Sequence, residues 1–117
     1  MKTVILDTDF IINAAKNHID LETSIKPLFL SKIEIAYLDK TLEELEGKPL
    51  ENIAKKTIEK FKKIETNQKK SVDDLILEFI KERKDVIIAT QDKKLKEKLK
   101  KAKIQTMTIR QQRYVIF

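Results

Sequence analysis

An α/β fold with a mainly parallel central sheet is predicted by three observations. Short apolar runs that read as buried strands alternate along the chain with segments whose apolar residues recur at helical spacing. No internal repeat or linker interrupts that alternation. The length of 117 residues suits one domain, residues 1–117, large enough to bury a core and too small for two. Right-handed crossovers then put helices on both faces of the sheet, a three-layer α/β/α sandwich.

The elements follow in order. Thr3 to Leu6 is an apolar run that ends at Asp7, as a buried strand would. Phe10, Ile11, Ile12, Ala14 and Ala15 continue as a helix, with Asp9 placed to cap it. Ile33, Ile35 and Tyr37 form a second strand, and Thr41-x-x-Glu44 has the spacing of a capping box at the start of a short helix that Gly47 and Pro49 close. Ile53, Ala54, Thr57, Ile58 and Phe61 predict a helix from Leu50 to about Ile64, and a polar loop covers Thr66 to Lys70. Ser71 caps the next helix, whose stripe is Val72, Leu75, Ile76, Phe79 and Ile80. Val86 to Ala89 is a continuous apolar strand. Lys93 to Lys101 is a basic helix that turns only Leu95 and Leu99 inward, and Ile104 to Ile109 and Tyr114 to Phe117 complete the set as strands.

Composition removes many chemistries. With no Cys there is no disulfide framework, thiolate metal site or cysteine nucleophile, and a reducing, cytoplasmic setting is expected. His18 is the single histidine, so any Ser-His-Asp triad would have to use it. One glycine, Gly47, cannot build a Walker loop or a GxGxxG turn, where backbone must approach phosphate at several points. No apolar run reaches the roughly 18 residues of a membrane span, and Asp7 and Asp9 break the start before a signal-peptide core could form.

Charge is uneven. Residues 1–49 carry 6 basic and 9 acidic groups, whereas residues 50–117 carry 19 and 10. Between Lys93 and Arg113 nine basic residues, Lys93, Lys94, Lys96, Lys98, Lys100, Lys101, Lys103, Arg110 and Arg113, face one acid, Glu97. Such a run is most often a solvated helix face, but it also suits a polyanion, with Tyr114 beside Arg110 and Arg113 as a stacking platform for an unpaired base.

The acids complete the pattern. Asp7 and Asp92 each follow a strand, and in a parallel sheet the functional crevice lies beyond the strands' carboxyl ends. Taken singly, Asp7 and Asp92 read as caps, Glu44 as half of a capping box, and Asp73 or Asp74 as first-turn acids favoured by the helix dipole. Together they offer four separated carboxylates in a chain with no other catalytic residue type. Such a cluster is costly unless a divalent cation neutralises it, and hard oxygen ligands select Mg²⁺ or Mn²⁺. Metal-assisted phosphodiester hydrolysis needs no His, Cys or Lys nucleophile.

These residues resemble the PIN-domain ribonucleases. VILDTDF resembles that family's strand and first acid, LEELEG its second, SVDDLIL its third and IIATQDKKLKEKL its fourth. Within the family the chain is most similar to the rRNA-processing PIN endonucleases of the small-subunit processome and their archaeal relatives, through its DDxL motif, its ATxDxxLKxxL stretch and its closing RxxRY. The resemblance implies a metal site of Asp7, Glu44, Asp73 and Asp92, with Asp9 where the family usually has Asn. Helix geometry chooses Asp73 over Asp74: at about 100° per residue Asp73 borders the apolar stripe and Asp74 lies opposite it. Lys93, Lys94, Arg110 and Arg113 would then hold RNA, in the first place an rRNA precursor. A homodimer stays open.

Other readings keep their place. A toxin of the VapC type would carry the same acids and require an antitoxin partner. A PIN-like module could bind RNA without cutting it. Asp7-Thr8-Asp9 also resembles the haloacid-dehalogenase phosphatases, against which Ile11 stands where that family has Thr or Val.

Overall fold

The computed structural model describes residues 1–117. Six strands, β1 (Lys2–Leu6), β2 (Ile33–Leu38), β3 (Lys62–Ile64), β4 (Val86–Ala89), β5 (Thr106–Arg110) and β6 (Tyr114–Ile116), form one sheet in the order β3-β2-β1-β4-β5-β6. Every neighbouring pair is parallel except β5 with β6, a hairpin. The helices are α1 (Thr8–Lys16), α2 (Leu21–Ile25), α3 (Asp39–Leu45), α4 (Glu51–Ile58), α5 (Val72–Glu82) and α6 (Lys93–Lys101).

Strand side chains alternate between faces, so the sheet separates two cores. Val4, Leu6, Ile35, Tyr37, Ile87 and Ala89 pack with Phe10 and Ile11 of α1, Leu21 and Ile25 of α2, and Ala54 and Ile58 of α4. Ile5, Leu38, Val86 and Ile88 pack on the other side with Val72, Leu75, Ile76 and Ile80 of α5 and with Leu95 and Leu99 of α6. This is the three-layer α/β/α sandwich with a mainly parallel sheet that the alternation predicts. Each fully buried aliphatic residue contributes about 1.5 to 3 kcal/mol relative to exposure, so the stripes on α5 and α6 suffice to dock both helices. Two helix ends adopt the left-handed closure that glycine most often supplies, without a glycine. His18 and Lys103 take left-handed backbone (φ 55° and 61°) and close α1 and α6 with a pair of bonds each, Ile19 N–H to Ala14 O and Ile104 N–H to Leu99 O being the longer-range ones. His18 therefore serves as a helix terminator.

Three expectations are corrected. Asp7, not Asp9, caps α1: its backbone is still extended (φ −76°, ψ 154°) and its Oδ1 accepts the Thr8 N–H at 2.8 Å. Asp9 already lies in the first turn. Thr41 and Glu44 form no capping box, because β2 runs straight into α3 with Leu38 as the cap, leaving Thr41 buried inside the helix. The helix predicted from Leu50 to Ile64 stops at Ile58, and Lys62 to Ile64 pair with Ala36 to Leu38 as an edge strand. Three residues are too few to display alternation, and Ile64 keeps helical spacing from Phe61. That edge strand matters: being parallel to β2, it ends at the same edge as β1, so the loop after it delivers the start of α5 there.

Candidate active site

The strand order reverses between β1 and β4: β2 and β3 extend the sheet to one side, β5 and β6 to the other. In open α/β sheets the crevice beyond such a reversal is the usual ligand site. Asp7 leaves β1 there and Asp92 lies three residues beyond β4. α3 continues from β2 and brings Glu44 to the same edge, and α5 starts there with Asp73.

Hydrogen bonds knit these segments together. Asp7 is buried, and its Oδ2 accepts the Thr90 hydroxyl at 2.7 Å. The Asp92 N–H in turn donates to Thr90 Oγ1 at 3.1 Å. Thr8 Oγ1 donates to Glu44 Oε1 at 2.8 Å, and Glu44 Oε2 accepts the Val72 N–H at 3.0 Å. Thus β1, α3, α5 and the turn after β4 are tied by the acids and two threonines. Asp7, Thr8, Asp9, Glu44, Lys48, Ser71 and Asp73 line one cavity of about 380 Å³ that has no hydrophobic wall.

The electrostatics follow. Burial pushes the Asp7 carboxyl up to about 6; the Thr90 bond opposes that shift and the charges of Asp73 and Asp9 reinforce it. Burial also raises Asp73, with repulsion from Asp92, Glu44, Asp9 and Asp74 adding to it. Asp92 is not a wall of the cavity, yet its charge is the one felt most strongly by Asp73.

Comparison with known proteins shows the family. The family model described as "PIN like domain" matches residues 4–112. The chain is 34% identical over 125 residues to Ribonuclease VapC4 of Methanocaldococcus jannaschii, covering 97% of this chain and 95% of that protein. The solved structure of the PIN domain endonuclease Utp24 superposes with a TM-score of 0.85 at 26% identity, covering 97% of this chain and 88% of that one. The chain belongs to the PIN-domain family.

In this PIN domain, Asp7, Glu44 and Asp73 share a cavity, with Asp9 as a fourth acid and Asp92 beside it. Asp73 rather than Asp74 faces it: Asp73 is half-buried, whereas Asp74 is exposed and donates its N–H to Ser71 Oγ. Asp92 also keeps its plain role, because its Oδ1 accepts the Lys94 and Leu95 N–H groups at 2.9 and 3.1 Å as the cap of α6. The acids do not close into a three-ligand cage. An open set of carboxylate oxygens still fits Mg²⁺ or Mn²⁺, since Mg²⁺ keeps several waters and is bound through one or two carboxylates plus substrate phosphate. Glu44 is better explained by this site than by its helix, because both its oxygens are turned away to Thr8 and Val72.

The basic flank starts directly after Asp92. Lys93 and Lys94 open α6, and Arg110 and Arg113 bracket the β5–β6 turn; all four are exposed. Lys96 is lowered by burial and then by repulsion from Arg110 and Lys93, which places helix and hairpin cations side by side. Tyr114 is 43% exposed next to them. Sequence reasoning missed Thr8, Thr90, Lys48 and Ser71 as parts of the site. The threonines had a signal, each standing at a strand end within two residues of a candidate acid.

Proposed function

We propose that the protein is a divalent-metal-dependent endoribonuclease that hydrolyses phosphodiester bonds in single-stranded or looped RNA, acting in the cytoplasm on an rRNA precursor. The observation that carries this reading is the convergence of Asp7, Glu44 and Asp73 on one wholly polar cavity at the strand-order reversal, with Asp92 alongside. Those four are the proposed ligands of Mg²⁺ or Mn²⁺. When bound, such a cation lowers the pKa of water and neutralises charge on the attacking and leaving oxygens. The chain's own groups orient the donors. Thr90 and Thr8 spend their hydroxyl protons on Asp7 and Glu44, fixing both carboxylates before RNA arrives. Lys93, Lys94, Arg110 and Arg113 hold the RNA backbone beside them. The rRNA-precursor assignment draws on the DDxL, ATxDxxLKxxL and RxxRY segments and on the likeness to Utp24.

A VapC-type toxin is the second reading, favoured by the 34% identity to Ribonuclease VapC4 along nearly the whole chain. It would carry the same chemistry and add a tight antitoxin partner. The test of the shared mechanism is cleavage with Mn²⁺ or Mg²⁺ by wild type, Asp7→Asn and Asp92→Asn. Both variants should lose at least about 100-fold in rate, the cost of several kcal/mol of charge stabilisation, while binding RNA as wild type does. Asp7→Asn cutting at the wild-type rate would sink the mechanism. Retained RNA binding by wild type without cleavage would assign a non-catalytic module. Growth arrest on expression, relieved by a co-expressed partner, separates toxin from processing enzyme.

A further inference from the structure

Residues 65–71 connect β3 to α5 and so determine where Asp73 stands. One helix, α3, holds that segment at two points. At the first residue of α3, the Asp39 carboxylate accepts four hydrogen bonds: Lys40 N–H at 2.9 Å, Thr66 N–H at 3.0 Å, Thr66 Oγ1 at 2.6 Å and Asn67 N–H at 2.9 Å. Three of the four come from a loop 27 or 28 residues away. Five residues further along the same helix, Glu44 accepts the Val72 N–H at 3.0 Å. The loop turns between these anchors, with Asn67 in left-handed backbone at φ 55°, which Asn tolerates better than most residues. Burial raises the Asp39 carboxyl, but the bonds from Thr66, Asn67 and Lys40 together outweigh it and leave the group at about 2, ionised throughout the working range. Asp39 is not a wall of the acidic cavity.

Asp39 and Glu44 thus tie both ends of the loop to one helix, at Thr66 and Asn67 and at Val72, one residue before Asp73; as an anion Asp73 is disfavoured there, first by burial and then by the charges of Asp92, Glu44 and Asp9. We propose that Asp39 is a positioning residue: by gripping Thr66 and Asn67 it fixes the start of α5 and holds Asp73 at the cation-binding cavity that it lines with Asp7 and Glu44. This deepens the nuclease reading and rests on it.

Asp39→Asn tests the proposal, since it removes the charge and, whichever way the amide is turned, sets its NH₂ against the Lys40 N–H or against the Thr66 and Asn67 N–H groups. Mn²⁺ binding to the RNA-free protein, followed by calorimetry, should weaken 10- to 100-fold, the usual cost of losing an outer support of a metal site. With Mn²⁺ saturating, kcat should fall by about 10- to 100-fold, as displacement of a reacting group by about 1 Å does, with KM for RNA within twofold because the basic flank is untouched. Amide exchange should accelerate at Thr66, Asn67 and Val72 while β1 and β4 stay protected. Should Asp39→Asn fail to fold, Thr66→Val removes only the 2.6 Å bond and should give the same pattern at smaller amplitude. Unchanged Mn²⁺ affinity and kcat in the folded variant, or faster exchange spread evenly over the sheet, would overturn the proposal. If wild type binds Mn²⁺ but cuts no RNA, the nuclease reading fails, and the affinity and exchange data still decide whether Asp39 positions Asp73.

Discussion

Two regions of the molecule carry charge of opposite sign that no ion pair compensates. Asp7, Asp9, Glu44, Asp73, Asp74 and Asp92 take part in none of the eight ion pairs of the molecule, and neither do the nine basic residues from Lys93 to Arg113, although Lys93 and Lys94 directly follow Asp92. Elsewhere the same residue types find each other, as Lys26 with Glu22, Lys55 with Glu51, Lys70 with Glu78 and Arg83 with Asp85. Exposed pairs of that kind contribute only about 0 to 1 kcal/mol each, so leaving the exposed bases unpaired costs the fold little, whereas the buried Asp7 is costly as an anion. What it preserves is a field. Under the proposed function the acids would be neutralised by a cation and the bases by RNA phosphates, and each half can be tested separately.

The largest effect is expected on the acidic side. Asp7 has its folded-state pKa raised from 3.8 to about 6, so its protonated form favours the folded state. Its contribution is fully present below 3.8 and is lost as pH rises through about 6. At pH 7, with a chelator present, the charged carboxylate destabilises the fold by something on the order of 2 to 3 kcal/mol. Asp7→Asn should recover most of that at pH 7, little at pH 4, and flatten the stability profile between. Urea unfolding at the two pH values measures it. An Asn variant less stable than wild type at pH 7 would mean that the bonds from Thr8 and Thr90 outweigh burial.

The basic side should show in salt dependence. Each phosphate neutralised on single-stranded RNA contributes a slope of about −0.7 in log affinity against log salt. Replacing Lys93, Lys94 and Arg110 with Ala should flatten the slope by roughly two units. The sharpening control replaces Lys26, Lys55 and Lys60, which are already paired with Glu22 and Glu51, and should leave the slope unchanged. Equal slopes in both triple variants would reduce the flank to a solvated face.

The two regions were not equally legible. The basic run is contiguous in sequence, and its inward residues, Leu95 and Leu99, are visible at helical spacing. The acids lie 37, 29 and 19 residues apart, and only topology gathers them. Asp7 and Asp92 could be placed from strand ends alone. Asp73 could not, because its position depends on β3, whose three residues show no pattern, and on Asp39, whose bonds span the loop after β3. Glu44 was visible as an acid but masked by the apparent capping box. No pattern announced α2, a single short turn capped by Asp20.

The smallest effect concerns how the hairpin aims its two arginines. Arg110 and Arg113 flank a turn in which the Arg113 N–H donates to Arg110 O at 3.1 Å and both central residues, Gln111 and Gln112, take left-handed backbone at φ 55° and 57°. That is type I′ geometry, which normally draws Asn-Gly because each left-handed residue with a Cβ costs roughly 1 to 2 kcal/mol. Gln112→Gly removes one such cost but gives the unfolded chain more freedom, worth about 0.5 to 1 kcal/mol, so the net gain should be about 0.5 to 1 kcal/mol. A rise of a few degrees in Tm reports it. The turn keeps its shape, so the salt slope for RNA should stay at the wild-type value. Gln112→Pro, by contrast, forces φ near −65°, opens the turn and should flatten the slope if Arg110 and Arg113 reach phosphate only from this hairpin. If Gln112→Gly lowers Tm, the turn's left-handed geometry is wrong. If Gln112→Pro leaves the slope intact, the hairpin plays no part in holding RNA and the basic side of the comparison rests on α6 alone.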